Sequence, residues 1–191
     1  MLRHMSVAEH LDYPALEAGL LEVFASPADD GWVELIVRRP AIGERETLDE
    51  GVLDLTEGLV GDNWLERGSS SMPDGSANPK AQLTLMNARV AALVAGSAER
   101  VPLAGDQLFV DFDLRAANVP AGTRLAIGSA VVEVSEVPHL GCQKFMARFG
   151  KDAHRFVSSK QHRELNLRGV NAFVVQPGTV RAGDVVRKLA V

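Results

Sequence analysis

Cysteine occurs once in the 191 residues, at Cys142, and that scarcity excludes an internal disulfide framework. A lone thiol fits a reducing compartment, so a cytoplasmic setting is expected. Long hydrophobic runs are missing as well. Nothing approaches the length that crosses a bilayer, and the N-terminus has no continuous apolar signal core, so no membrane partner is expected. Charge of one sign never gathers into a block, and the net charge of −5 gives no electrostatic footprint for nucleic acid. No phosphate-cradling glycine loop and no glycine-flanked serine nucleophile appear, which removes familiar nucleotide-binding and serine-hydrolase readings. No internal repeat is visible.

What is present suits one domain with a substantial core: 46% of residues are hydrophobic, spread over a chain of ordinary domain length. Residues 1–31 read as an N-terminal helical extension. From Val7 to Phe24 the apolar residues Leu11, Ala15, Ala18 and Leu21 fall at helical spacing, predicting one helix or two short ones around Pro14. Residues 32–191 read as a strand-rich domain. Strands are predicted over residues 32–39, 82–86, 108–112, 124–127, 130–137, 172–176 and 184–189, each rich in β-branched or aromatic residues. Gly128-Ser129 joins two of them as a two-residue hairpin loop with glycine first. Helices are predicted at Ala88–Ala95, capped by Asn87, and between Gln143 and Leu165 with a break near Gly150. Many short strands without regular helical crossovers predict a mostly β fold with inserted helices, a closed and mostly antiparallel barrel. The polar stretch from Gly68 to Pro79 reads as a mobile loop, either solvated or acting as a lid.

Cys142 sits in Pro138-His139-Leu140-Gly141-Cys142-Gln143-Lys144-Phe145, where a strand region passes through a tight loop into a helix. Thiolates rather than thiols are nucleophiles and metal ligands, and helix N-termini and cations favour them. Lys144, Arg148 and His139 are the nearby candidates. The alternative is a buried cysteine acting as a small hydrophobe. Phe145, Phe149 and Phe156 mark a packing face, and Lys144, Arg148, Lys151 and Arg155 a cationic one, which a helix break at Gly150 would split. His139 and Cys142 have a spacing that could ligate a metal with His154 and His162 downstream, but a single cysteine with scattered histidines gives no recognisable pairing for a structural zinc site. Asp62, in Gly61-Asp62-Asn63-Trp64, can accept hydrogen bonds from a ligand or from the backbone. Gln82 and Thr84 alternate along a strand and could face a cavity together with Asn87. Arg124 and Arg168 are candidate anion clamps or ordinary surface arginines.

Several ordered pieces resemble the MOSC domain family, named after the C-terminal domain of molybdenum cofactor sulfurase. They are Gly58-Leu59-Val60-Gly61-Asp62, Gln82-Leu83-Thr84-Leu85, Gly122-Thr123-Arg124-Leu125 with Ile127-Gly128, the Cys142 loop, and Gly178-Thr179-Val180 followed by Gly183-Asp184. The resemblance implies a mixed β-barrel, of the small stand-alone bacterial type, with a ligand site near Cys142. It associates the chain with molybdenum cofactor (molybdopterin), with sulfur transfer, or with reduction of N-hydroxylated compounds. Family descriptions also mention pyridoxal phosphate, but no pyridoxal-binding domain is recognisable here, so that cofactor is not expected. Where relatives carry Gly-Glu-Asn-Leu this chain has Gly105-Asp106-Gln107-Leu108, and Gly141 stands where they carry proline before the cysteine.

Three functional expectations follow. In the first, Cys142 ligates molybdenum in a two-electron oxidoreductase, with Arg124, Arg168, Lys144 and Arg148 around the cofactor phosphate and Asp62, Asp106, Gln82 and Thr84 as polar walls. In the second, Cys142 carries sulfur as a persulfide. In the third, the barrel binds a ligand without catalysis and Cys142 only packs. The partners implied are a small-molecule substrate and a redox or sulfur-donor protein.

Overall fold

The computed structural model describes residues 10–190. Val7 to Glu9, the start of the expected leading helix, lie outside the described residues. Two short helices follow, α1 (Tyr13–Ala18) and α2 (Leu20–Phe24). Pro14 does not divide them. It sits in the first turn of α1, where a missing N–H is harmless, and Asp12 caps that turn by accepting the Ala15 N–H at 3.0 Å. The division falls at Gly19, whose missing Cβ would stand 2.6 Å from Leu93.

The strands are β1 (Gly31–Arg38), β2 (Glu46–Leu48), β3 (Glu50–Asp54), β4 (Gly58–Leu59), β5 (Leu83–Asn87), β6 (Leu108–Asp111), β7 (Arg124–Ile127), β8 (Ala130–Val134), β9 (Val170–Gln176), β10 (Gly178–Arg181) and β11 (Val185–Lys188). Between them lie α3 (Trp64–Arg67), α4 (Ala88–Ala95) and α5 (Gln143–Ser158). In the main sheet the order β11-β7-β8-β9-β5-β6-β1 is closed by pairing of β1 with β11, giving a seven-stranded barrel with β2 attached to the edge of β1. A closed ring of seven strands cannot alternate direction throughout, because each antiparallel pairing reverses the chain and the reversals must be even in number. The necessary exception is the parallel pair β5–β6. Parallel neighbours need a long crossover, supplied by α4 and the 3₁₀ segment Ala98–Ala104. The expected hairpin is present: β7 and β8 pair Ile127 with Ala130, and Gly128 takes φ 58°. A smaller sheet, β10-β3-β4, lies beside the barrel.

Alternation along the strands divides the core in two. Leu85, Leu108, Val110, Leu125, Ile127 and Val132 fill the barrel. Met86 and Phe109 point outward to Leu16, Val90, Phe145, Phe149 and Phe156 of the helices. Strands covered on both sides are nearly continuous apolar runs, which is why β5 and β6 are legible without clean alternation. In β1 the register shifts between Val33 and Leu35, so Val33 and Ile36 face the barrel while Val37 faces the helices. Gly150 breaks α5 with φ 88° and ψ 170°, yet Phe145, Phe149 and Phe156 stay buried together. The break splits the cationic set. No helix among the described residues is long and apolar enough to cross a membrane.

Candidate functional site

A cleft of about 700 Å³ opens where the loop after β1, the segment around α3, the turn before β6 and the Pro138–Phe145 loop converge. That volume suits a small-molecule ligand. Arg39, Arg45, Arg67, Lys144, Arg148 and Arg168 line it, and among the described residues no Asp or Glu does. Ser70 and Ser71 bring the Gly68–Pro79 loop to its rim.

Cys142 lies at this cleft as the N-cap residue of α5, and its side chain is exposed. Exposure excludes the packing reading of the thiol. The loop before it is held from both sides: the Gly141 N–H donates to Ser158 Oγ at 3.1 Å, and the Gly141 carbonyl is 3.0 Å from His154 Nε2. A Cβ on Gly141 would meet Ser158 Oγ at 2.6 Å and His154 Cδ2 at 3.0 Å. Proline would lack the N–H and add that carbon, so this loop requires the glycine that replaces it.

Beneath the cleft two carboxylates each fix an arginine. Asp62, fully buried, receives Arg39 Nε at 2.8 Å, Arg39 Nη2 at 2.7 Å and the backbone N–H groups of Arg39 and Trp64. Arg39 Nη1 also donates to the Gly105 carbonyl at 2.9 Å. Asp62 is therefore a holder of Arg39 and not itself a wall of the cleft. Asp106, also fully buried, accepts from Arg168 Nη1 at 2.8 and 2.6 Å and stands 3.0 Å from His139 Nε2. Arg168 Nη2 donates to the Ala104 carbonyl, and its guanidinium lies over the Phe145 ring. Burial by itself would raise the Asp106 carboxyl, but the Arg168 guanidinium and the His139 ring hold it well below the usual carboxylate range. Burial first, then Arg168, lowers the His139 imidazole, and Asp106 only partly opposes this. His139 is thus a neutral ring at neutral pH and does not supply the cation expected beside the thiol. With Asp106 ionised, Nε2 must carry the proton, which leaves Nδ1 as the unprotonated nitrogen.

Among the described residues, three other polar atoms of cleft-lining side chains, Arg168 Nε, Arg45 Nε and Asn63 Oδ1, are buried without a hydrogen-bond partner. The Arg45 guanidinium is held below its ordinary value by partial burial, then by repulsion from Arg148 and Arg39; that of Arg67 by burial and Arg39, with Asp62 and Cys142 opposing. Arginine stays charged regardless, so the cleft keeps its positive charge despite this crowding.

Of the residues singled out in the sequence, Thr84, His139, Cys142, Lys144, Arg148 and Arg168 meet at the cleft, with Asp62 and Asp106 directly behind it. Thr84 Oγ1 donates to Gln107 Oε1 at 2.7 Å. Gln82 does not reach the cleft: its amide spans Leu55 O and Val174 N, both at 2.9 Å, tying strands together. Arg124 lies on the exposed side of β7, paired with Glu133 at 3.0 Å. Asn87 caps α4 through Arg89 and Val90 N–H and donates to Ser26 Oγ and the Phe112 carbonyl. Lys151 and Arg155 are outside the cleft, Arg155 resting on the Tyr13 ring. His154 and His162 do not join Cys142; His162 Nδ1 is 2.9 Å from the Phe156 carbonyl and Nε2 lies 2.9 Å from Glu17 Oε1, and among the described residues no three His, Cys, Asp or Glu side chains converge as metal ligands. Arg39, Arg45, Arg67 and Asn63 complete the site without having been expected there. Asn63 and Arg67 flank the turn that drew attention to Asp62, and Arg39 is the last residue before Pro40.

A family model described as MOSC domain matches residues 75–187. No curated protein matches in sequence. Among solved structures, the YUAD protein from Bacillus subtilis is similar over 82% of this chain and 93% of its own, with 17% identity and a TM-score of 0.55. YiiM from Escherichia coli is similar over 84% of this chain and 70% of its own, with 21% identity and a TM-score of 0.53. At these identities the likeness is one of fold.

Proposed function

The chain belongs to the MOSC domain family, whose model covers more than half of it, and from that premise we propose that the cationic cleft binds a molybdenum cofactor with Cys142 as its thiolate ligand. The observation that carries this reading is one exposed soft donor, Cys142, beside a basic cleft in which Arg168 Nε is buried and unpartnered. The donor set fits such a group. Because no three protein ligands converge among the described residues, a metal here would need a carrier that brings its own donors, and Lys144 and Arg168 would hold a phosphate on that carrier. When bound, the cofactor supplies a metal centre capable of two-electron redox chemistry.

The chain's own residues then have separate tasks. Cys142 supplies sulfur from a loop pinned at Gly141. Asp106 fixes the Arg168 fork, so little side-chain freedom is lost when an anion binds. His139, held neutral by burial and Arg168 and anchored to Asp106 through Nε2, gives the cleft an uncharged polar wall. Expression with cofactor supply, followed by measurement of molybdenum and pterin per chain, tests the reading. Wild type should retain both near stoichiometrically and Cys142→Ser should lose most of the metal; wild type without either would defeat it.

The exposure of Cys142 also favours a second reading, sulfur carriage. The Cys142 thiolate would attack the terminal sulfur of a cysteine desulfurase persulfide, expelling the donor cysteine as thiolate. Intact-mass analysis should show one added sulfur, removable by reductant and absent in Cys142→Ser. A wild-type chain left unmodified by an active desulfurase would refute it.

A further inference from the structure

The strongest unassigned feature is the convergence of two arginines over Gly105. A Cβ placed on Gly105 would lie 3.2 Å from Arg45 Nη2 and 3.8 Å from Arg148 Nη1, so both guanidinium groups approach one point. Gly105 itself has φ 92°, which glycine adopts freely, and its carbonyl is already taken by Arg39 Nη1. Arg148 is aimed by Nη1, which donates to the Leu103 carbonyl at 2.6 Å. Arg45 Nε is buried with no partner. Arg39 and Arg168 each have a buried carboxylate, whereas neither Arg45 nor Arg148 forms an ion pair among the described residues. Like charges crowd over Gly105, and Arg45 carries one of the two unused guanidinium N–H groups of the cleft, the other being Arg168 Nε.

We propose that Arg45 and Arg148 form an oxyanion subsite over Gly105 that takes the phosphate of a phosphomonoester substrate, apart from the cofactor contacts at Cys142, Lys144 and Arg168. Assigning that phosphate to the substrate and not to the cofactor rests on the reading above. Charge selects the class: two uncompensated guanidinium groups match a phosphomonoester of about −1.5 to −2, whereas a carboxylate would leave one of them unbalanced.

Isothermal titration with phenyl phosphate, benzoate and phenol tests this on protein purified after cofactor supply, with molybdenum measured in the same samples. Phenyl phosphate should bind at least about tenfold more tightly than benzoate, and phenol not at all. Arg45→Met should weaken phenyl phosphate by about tenfold or more, the loss of a charge-assisted fork, while molybdenum per chain stays at the wild-type level. Arg45→Lys keeps the charge without the fork and should show an intermediate loss, so a poorly folded Arg45→Met leaves the matter decidable. Equal binding of benzoate, or phenyl phosphate binding unchanged in both Arg45 variants, overturns the proposal. So does loss of molybdenum together with phosphate binding, since the pair would then hold the cofactor. If no sample contains molybdenum, the cofactor reading fails, while the Arg45 dependence of phenyl phosphate binding still decides whether the subsite exists.

Discussion

Replacing Asp106 with asparagine should destabilise the protein by about 3–5 kcal/mol, the usual penalty for breaking a buried ion pair from one side. The substitution preserves shape and removes one charge. Asp106 is fully buried and Arg168 is 5% exposed, so solvent cannot compensate the guanidinium left behind. Both Asp106 oxygens serve Arg168 Nη1, and one also serves His139 Nε2; an amide offers one acceptor and turns an N–H towards one of these donors. For a domain of this size each kcal/mol moves the melting temperature by roughly 2–4 °C, so a fall of roughly 6–20 °C is expected. Urea unfolding followed by tryptophan fluorescence gives the free energy directly, with Trp64 close behind the cleft. Removing both charges, as Asp106→Leu with Arg168→Met, should recover most of the loss, because the penalty lies in the orphaned cation. A loss below about 1 kcal/mol in Asp106→Asn, or a double variant no better than the single one, would refute this account of how Arg168 is held.

Three further outcomes follow from the same geometry. His139 is lowered in the folded protein, so the unfolded chain binds the extra proton first; stability should fall as pH drops through about 6.5, and His139→Gln should flatten that part of a urea-stability profile. Asp106 is also lowered, so its contribution is present above the unfolded carboxyl value and is lost only below about pH 4, a window that separates the two groups. Gly169→Ala should cost about 2 kcal/mol or more in the same assay, since φ is 99° and the new Cβ would meet the Leu85 carbonyl oxygen at 2.1 Å. Native protein free of cofactor should take up one equivalent of a thiol reagent at Cys142, and resistance to labelling until unfolding would contradict its exposure.

The barrel was legible because strands such as β6, β7 and β8 are apolar enough to identify and short enough to exclude regular crossovers. β2, β3 and β4 were not, since Glu46–Leu48, Glu50–Asp54 and Gly58–Leu59 are two to five residues long and carry few strand-forming residues. Their pairing is decided by partners distant in sequence. The same distinction runs through the site. Cys142, Lys144 and Arg148 lie on one continuous stretch, so local context grouped them. Gln82 and Arg124 alternate plausibly along strands, but alternation names a face without saying what covers it. Arg45 comes from an irregular loop and Arg67 from a single four-residue helical turn, neither long enough to show periodicity, and only the closed barrel brings them to one cleft with Cys142. Asp62 and Asp106 were recognised as polar residues near a ligand; that each spends its charge fixing an arginine required the structure.

The most direct test of Cys142 as a metal ligand is X-ray absorption at the molybdenum edge on the wild-type protein beside Cys142→Ser, both prepared with cofactor supply. The account predicts molybdenum in the wild type and one sulfur ligand fewer in whatever metal Cys142→Ser retains. The same sulfur coordination in both proteins, or a wild type that holds no molybdenum, would contradict it.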